Sequence, residues 1–124
     1  MSDTRVEFEA VVPIVPAGPD MAAALAFYEG KLGFVRRSTG DPSGTEVIGR
    51  GAVQLLLQQT EDAYWASQMT VRFRVDDVEA LYDKVRARGV EKITGIMAQP
   101  WGTREFHVIE PFGVCLHFYE RVPG

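Results

Sequence analysis

The sequence predicts an α+β protein built from two βαβββ modules, whose strands form a curved mixed sheet with helices on its outside. The first observation behind this prediction is a helix-like segment from Asp20 to Gly33, which recurs from Asp76 to Gly89 at a shift of 56 residues. The second is that each of these segments follows one strand-like run and precedes three more. Such a repeat indicates duplication of a supersecondary unit that cannot bury its own sheet face.

The length and composition are those of one globular domain. A chain of 124 residues with 46% hydrophobic content is expected to form a single domain over residues 1–124. We place module one at about residues 7–58, a linker at 59–68 and module two at about 69–120. The formal net charge of -4 argues against a nucleic-acid partner. The apolar runs have only strand length and predict no membrane span.

Module one opens with a strand predicted over residues 8–15, followed by a loop at 16–19 and a helix. Asp20 suits the N-cap of this helix and Gly33 its left-handed C-terminal position. The helical periodicity predicts an apolar stripe made of Met21, Leu25, Tyr28 and Leu32. Strands are predicted over residues 34–38, 46–50 and 53–58, with a turn-rich link at 40–44.

The linker carries two aromatic side chains, Tyr64 and Trp65, among polar residues. A connecting segment usually avoids large aromatics unless they pack on something. Either these rings fold back on a core, or they line a groove.

Module two repeats the order of module one. A strand is predicted over residues 69–75, and Asp76 is the predicted N-cap of a helix, with Glu79 completing a capping-box variant. The helix ends near Gly89. Strands are predicted over residues 90–96, 105–109 and 114–119. The predicted apolar stripe of this helix is Val78, Leu81, Tyr82 and Val85.

Several stretches together resemble a known family. The run Ala-Phe-Tyr-x-x-x-Leu-Gly-Phe ends at Phe34, and residues 100–106 read Pro-Trp-Gly-Thr-Arg-Glu-Phe. Residues 110–118 then read Glu-Pro-Phe-Gly-Val-Cys-Leu-His-Phe. With the module repeat, these resemble the bleomycin-resistance proteins of the vicinal oxygen chelate superfamily, which has the glyoxalase/bleomycin-resistance/dioxygenase fold. One departure is Glu110, where the family turn usually begins with Asp.

The resemblance implies a homodimer that captures a bleomycin-like glycopeptide in grooves at the subunit interface, by sequestration and without chemistry. Superfamily enzymes instead hold a divalent metal between strands, and the matching positions here are Ala10, Leu56, Thr70 and His117. A slip in the fourth strand would bring Gln54 or Gln58 to the position of Leu56. Because a metal site needs three or four convergent ligands, we expect neither a superfamily metal site nor a cofactor.

The candidate ligand-binding residues follow from local geometry and from the resemblance. Trp101 lies between Pro100 and Gly102, which hold its ring in place for stacking on planar groups of a ligand, unless it plugs the dimer interface or covers a sheet end. His117 and Tyr119 share one face of the last strand, and His117 either contacts a ligand or is a half-buried histidine bonded to a neighbouring side chain. The full set of candidates is Trp101, Gly102, Phe34, Trp65, Arg104, His117 and Tyr119; of these, Phe34 alternatively packs in the core, and Arg104 alternatively pairs with a carboxylate.

Other reactive side chains are given weaker roles. His107 lies on the strand before His117, and two neighbouring imidazoles leave open a stray transition-metal site. Cys115 is the only cysteine and is read as an inert small hydrophobe in a reducing, cytoplasmic protein. Arg72 and Arg74 alternate with apolar residues, and so face the cavity or another subunit, where they favour an anionic or neutral ligand.

Three functions therefore remain open at the level of sequence. The leading hypothesis is a non-catalytic protein that sequesters a bleomycin-like or similar aromatic small molecule, with no catalytic residues. The second is a metal-dependent lyase or dioxygenase of the same superfamily. The third is a binding module for another metabolite.

Overall fold

A computed structural model describes residues 5–38 and 43–123. Module one contains β1 (Ile14–Gly18), α1 (Met21–Gly30), β2 (Val35–Arg36), β3 (Thr45–Arg50) and β4 (Val53–Gln59). Its strands form a four-stranded sheet in the order β1-β4-β3-β2. The β1–β4 pair is parallel, and the other two pairs are antiparallel.

The second half of the chain repeats this topology. After α2 (Ala63–Gln68) come β5 (Thr70–Arg74), α3 (Val78–Ala87), β6 (Met97–Gln99), β7 (Thr103–Ile109) and β8 (Cys115–Arg121). The strand order is β5-β8-β7-β6, again with one parallel pair. The predicted α+β class and the two βαβββ modules are confirmed, with the mixed strands divided into two four-stranded sheets.

Local signals place α1 as predicted. The Asp20 side chain accepts a hydrogen bond from the Ala23 amide, which satisfies a free donor of the first turn. Gly33 has a φ of +75°, the left-handed conformation that ends many helices. Leu25, Tyr28 and Leu32 are buried, as the predicted stripe requires.

The first strand differs from its prediction at both ends. It begins at Ile14 rather than at residue 8, and it includes residues 16–18, which were predicted as a loop. Pro16 is tolerated there because β1 is an edge strand, where a missing N–H costs no ladder bond. Residues 5–12 are exposed and irregular, since only β4 offers β1 a partner within the described chain.

The N-cap of α3 is Asp77, not Asp76 as predicted. The Asp77 side chain accepts a hydrogen bond from the Ala80 amide at 3.0 Å. Since Ala80 therefore occupies the third helical position, Glu79 cannot complete a capping box there. Val78, Leu81 and Val85 are buried as predicted, and Gly89 has a φ of +84°.

The prediction of a strand over residues 90–96 is also wrong, because the strand that pairs with β7 at this edge is β6, which begins only at Met97. Ile93 makes only an isolated bridge to Val108. The Thr94 hydroxyl accepts the hydrogen bond of the His107 amide, so a side chain replaces a ladder carbonyl.

The linker contains a further unpredicted element, α2, whose N-cap Asp62 accepts from the Trp65 amide. The predicted link at 40–44 lies partly outside the described residues.

A chain of aromatic rings joins the cores of the two modules. Phe34, in the connection between α1 and β2, packs edge-on against Phe73 of β5 at a ring distance of 6.0 Å. Phe73 stacks on Phe118, which stacks on Phe106. The modules therefore share one continuous apolar core rather than two separate ones. Across the described residues, no helix has the length and apolar character needed to cross a membrane.

Candidate functional site

One face of the module-two sheet points away from α3 and carries mainly polar side chains; we call it the open face. Strand alternation puts Val71, Phe73, Leu116 and Phe118 on the opposite, buried face. The pairing of β5 with β8 and of β8 with β7 then aligns the outward residues in rows. On β5, β7 and β8 the open face comprises Thr70, Arg72, Arg74, Thr103, Glu105, His107, Ile109, Cys115, His117, Tyr119 and Arg121, and Met97 and Gln99 of β6 extend it.

Glu105 is the centre of this face. It is only 1% exposed, and Arg72 contacts both of its carboxylate oxygens at 3.2 Å. Thr103 donates its hydroxyl to Glu105 at 2.7 Å, and His107 Nε2 lies 2.8 Å from Glu105 Oε1. Burial alone would raise the pKa of Glu105, but these hydrogen bonds and the charge of Arg72 lower it to about 2. Glu105 is therefore an ionised carboxylate with almost every acceptor site used.

The two histidines lie against each other beside this carboxylate. Their rings are stacked, with centroids 3.6 Å apart and planes 11° from parallel. Arg72 Nη1 lies 2.9 Å from His117 Nδ1, and because an arginine can only donate, this nitrogen carries no proton. Burial, followed by the charges of His107 and Arg72, lowers the pKa of His117. His117 is therefore a neutral imidazole near pH 7.

Cys115 and Tyr119 complete the face on either side of His117. Burial raises the pKa of the Cys115 thiol, which keeps the less nucleophilic protonated form. The Arg72 guanidinium lies 4.4 Å from the centroid of the Tyr119 ring, a cation–π contact. Arg72 is thus held by a carboxylate, an imidazole and an aromatic ring at once.

Trp101 stands at the end of this face, in the turn between β6 and β7. The Gly102 amide donates to the Gln99 carbonyl at 3.0 Å, and Gly102 has a φ of +89°. A three-residue hairpin loop needs such a left-handed residue, which explains the glycine. The Trp101 side chain is left 64% exposed on this constrained turn.

The structure separates the other predicted ligand residues from this face. Arg104 points to the opposite side, where it lies within 4.0 Å of Glu79 and Glu120, so it takes the alternative of a carboxylate partner. Phe34 is buried at the junction of the modules and lines a helix-side cavity of about 730 Å³, together with Phe73.

Trp65 lies on α2 and is half-buried, so the linker aromatics divide: Trp65 packs in part, whereas Tyr64 is 75% exposed. The helix contacts β1 of module one. Of the seven predicted residues, His117 and Tyr119 lie on the open face, and Trp101 and Gly102 lie at its end.

Sequence reasoning missed Glu105 as the centre of the site. A signal was present, since alternation along β7 puts Thr103, Glu105 and His107 on one face. What the sequence could not supply was the register that places Arg72 opposite His117 across β5 and β8.

A comparison with known families matches residues 11–118 to the Glyoxalase/Bleomycin resistance protein/Dioxygenase superfamily. The chain belongs to this superfamily. A bleomycin resistance protein of Geobacillus stearothermophilus is 25% identical over 129 aligned positions, covering 90% of this chain and 96% of that protein. A bleomycin resistance protein of Staphylococcus aureus strain MRSA252 matches to the same extent.

Solved structures of the superfamily have the same fold. A bleomycin-binding protein from bleomycin-producing Streptomyces verticillus, complexed with copper(II)-bleomycin, superposes with a TM-score of 0.79. It is 30% identical and covers 96% of this chain and 99% of its own. A bleomycin-binding protein complexed with bleomycin superposes with a TM-score of 0.80 at 24% identity, covering 92% of this chain and 99% of its own.

The residues at the superfamily metal positions do not fit a divalent ion. Ala10 lies before β1, and the β1 residue opposite Leu56 is Ile14. The β5 residue opposite His117 is Arg72 rather than the predicted Thr70. An isoleucine, a leucine and an arginine offer no ligand atom for a hard or borderline cation. At these described positions only His117 offers a ligand atom, which is not a divalent-metal site.

The departure at Glu110 leaves the superfamily turn intact. Glu110 is buried, and its carboxylate accepts the Val114 amide at 2.7 Å, while its own amide donates to the Val114 carbonyl. Burial raises the pKa of Glu110, although backbone hydrogen bonds oppose this. The longer side chain of Glu thus caps the turn that Asp usually closes.

Proposed function

We propose that this chain is a non-catalytic protein that binds a bleomycin-like glycopeptide or a similar aromatic small molecule against the open face. The observation that carries the proposal is Trp101, a large ring left exposed on a constrained turn at the end of a polar face. Such a ring offers a stacking surface at a low cost in conformational entropy. Bleomycin itself is named because relatives are bleomycin resistance and bleomycin-binding proteins.

The polar groups of the open face support binding rather than conversion. Burial raises the pKa of the Cys115 thiol, which keeps it in the less nucleophilic protonated form. Glu105 is fully engaged in hydrogen bonds and has a pKa near 2, so it is a poor proton acceptor at neutral pH. The Cys115 thiol and the Glu105 carboxylate are therefore suited to hold an orientation and not to transfer protons.

From the sequence, Arg72 and Arg74 were expected to favour an anionic or neutral ligand. In the structure the charges on the open face are also compatible with a cationic ligand. Arg72 is paired with Glu105, so its charge is largely balanced before any ligand arrives. Arg74, on the same face, is exposed. The proposed ligand contacts are therefore Trp101 and Gly102 at the end of the face, with Tyr119 and His117 along it.

The proposal includes a homodimer. The open face is in part exposed, and Ile109, which strand alternation puts on this face, is 38% exposed. A second copy placed against the face would bury this side chain and turn an open sheet into a groove. Ligand sites at such interfaces recruit residues from both subunits.

The chain has two tryptophans, which allows a matched test. Bleomycin is titrated into the wild type, the Trp101→Phe variant and the Trp65→Phe variant, and intrinsic fluorescence is followed. We expect saturable quenching in the wild type and in Trp65→Phe. Trp101→Phe should lose the quenching and bind roughly 5- to 10-fold more weakly, since stacking contributes on the order of 1 kcal/mol.

Native mass spectrometry of the same samples gives the subunit and ligand stoichiometry, with a dimer expected in all three. Quenching that persists in Trp101→Phe would remove Trp101 from the site. If the wild type does not bind bleomycin, the proposal that the ligand is this antibiotic is wrong. The third hypothesis, a binding module for another metabolite, would then be favoured.

A further inference from the structure

The open face brings together three side chains of the kinds that ligate transition metals. One ring nitrogen each of His107 and His117 and the sulfur of Cys115 all lie within 4.8 Å of one another. We propose that these three residues form a site for a single borderline or soft metal ion of the Zn²⁺ or Cu⁺ class. The site goes beyond small-molecule binding and does not depend on it.

The donor set selects the class of metal. Two imidazoles and a thiolate suit Zn²⁺ and copper, whereas Mg²⁺ and Ca²⁺ require oxygen ligands. Zinc–nitrogen and zinc–sulfur distances are about 2.0–2.1 and 2.3 Å, so donors around one ion stand roughly 3–4 Å apart. The three side chains are half-buried, which leaves room for the small rotations that this contraction requires. The stacked rings must tilt apart, and a fourth position stays open to water.

The surroundings of His107 match those of a metal-bound histidine. Its Nε2 lies 2.8 Å from Glu105 Oε1, so the N–H on that nitrogen points to an ionised carboxylate. A carboxylate in this position fixes the tautomer and makes the imidazole a stronger donor. Nδ1 of His107 is thereby the nitrogen available for a metal.

Arg72 opposes the metal and sets the expected strength of binding. Its guanidinium contacts His117 Nδ1 at 2.9 Å and must turn away, or the ring must flip, before this nitrogen can bind a metal. The thiol must also lose its proton, as any cysteine ligand does. Binding is therefore expected to be weaker than at a closed structural zinc site, and to be lost on acidification.

The proposed site differs from the superfamily arrangement, which draws ligands from four strands. Here the ligands come from β7 and β8 alone, where His107 pairs with His117 and Ile109 pairs with Cys115. Thr70, which faces Cys115 from β5, tests this distinction. Thr70 was predicted at a superfamily metal position, which the structure gives to Arg72 instead, and it has no part in the new site.

Titration with Co²⁺ tests the proposal, because a thiolate bound to cobalt gives a near-ultraviolet charge-transfer band. The full chain is stripped with a chelator, kept reduced, and titrated without any organic ligand. We expect one Co²⁺ per chain with this band, and displacement by Zn²⁺. Cys115→Ser should lose the band, and Cys115→Ser and His107→Gln should each bind at least 10-fold more weakly. Thr70→Val should behave as the wild type.

A wild type without the band, or a Cys115→Ser variant that binds Co²⁺ unchanged, would overturn the site. Equal weakening by Thr70→Val would mean that β5 supplies a ligand, and would overturn a site formed by β7 and β8 alone. Thermal unfolding of each metal-free variant shows that it is folded. If His107→Gln is not folded, the proposal is judged only by the presence of the charge-transfer band in the wild type and its loss in Cys115→Ser. Because no antibiotic is present, failure here leaves the bleomycin titration unaffected.

Discussion

At the scale of single residues, Glu105 determines how the open face is arranged. A buried carboxylate is tolerated only when its charge is balanced and its oxygens are hydrogen-bonded. Arg72, His107 and Thr103 supply both, and in return Glu105 fixes the positions of the arginine and one imidazole. The polar face is thus a preorganised network around one ionised group.

This arrangement predicts an acid-dependent loss of stability. Because the pKa of Glu105 is lowered from 4.5 to about 2, its ionised form stabilises the fold fully above pH 4.5. That contribution, about 3 kcal/mol at 1.36 kcal/mol per pKa unit, is lost as the pH falls from 4.5 towards 2. The free energy of unfolding, measured by urea denaturation with a chelator present, should decline over this window.

Glu105→Gln is the control for this decline, because it keeps the shape and removes the ionisation. It should be less stable at pH 7 and should lose little further stability between pH 4.5 and 2. Parallel pH profiles for the two proteins would show that other carboxylates cause the acid loss.

At the scale of elements, the boundaries of the helices depend on single capping residues. Both Asp76 and Asp77 precede α3, and only Asp77 accepts a hydrogen bond from the first turn. Asp77→Ala should therefore destabilise the protein by about 1 kcal/mol, as loss of an N-cap usually does.

Asp76→Ala is the matched control one residue away. It should change the free energy of unfolding by less than about 0.5 kcal/mol, the usual range for surface positions. Equal losses in the two variants, measured by chemical denaturation, would mean that the cap is shared.

The elements also show what could be predicted from the sequence. Helix α1 and the faces of β5, β7 and β8 were predictable because caps and alternation are local properties. The register that joins Arg72 to His117 and Glu105 was not, since it depends on pairing across the sheet. Before β6, the Thr94 hydroxyl rather than a backbone carbonyl accepts from the His107 amide. No periodicity carries that information.

At the scale of the whole molecule, the two modules are held in one relative position by close contacts. At Gly18, which ends β1, an added Cβ would lie 3.1 Å from the ring of Phe112 in the closing turn of module two. Lys31 Nζ, just after α1, donates to the Arg88 carbonyl at the end of α3. Together with the ring chain through Phe34, these contacts make the junction part of the core.

Gly18→Ala tests this junction against a matched position. Gly18 and Gly102 share a φ of +89°, but an added Cβ at Gly102 meets nothing within 4 Å. Gly102→Ala should cost only the left-handed strain, about 1–2 kcal/mol. Gly18→Ala should cost roughly 1–3 kcal/mol more, because the Phe112 ring must move.

Urea denaturation of both variants measures the difference. If Gly18→Ala and Gly102→Ala lose the same free energy of unfolding, the Phe112 ring moves away from the added Cβ at little energetic cost. The modules would then be less tightly coupled than their packing indicates.

The stacked histidines also allow the open face to be monitored in solution by NMR. The chain has only these two imidazoles, so its histidine ring protons give just two sets of NMR resonances. With ring centroids 3.6 Å apart, each ring lies in the shielding cone of the other, which moves both sets upfield. Any molecule or ion that separates the rings would return these resonances towards ordinary positions. The open face can thus be followed by one-dimensional spectra, without isotope labels or any attached probe.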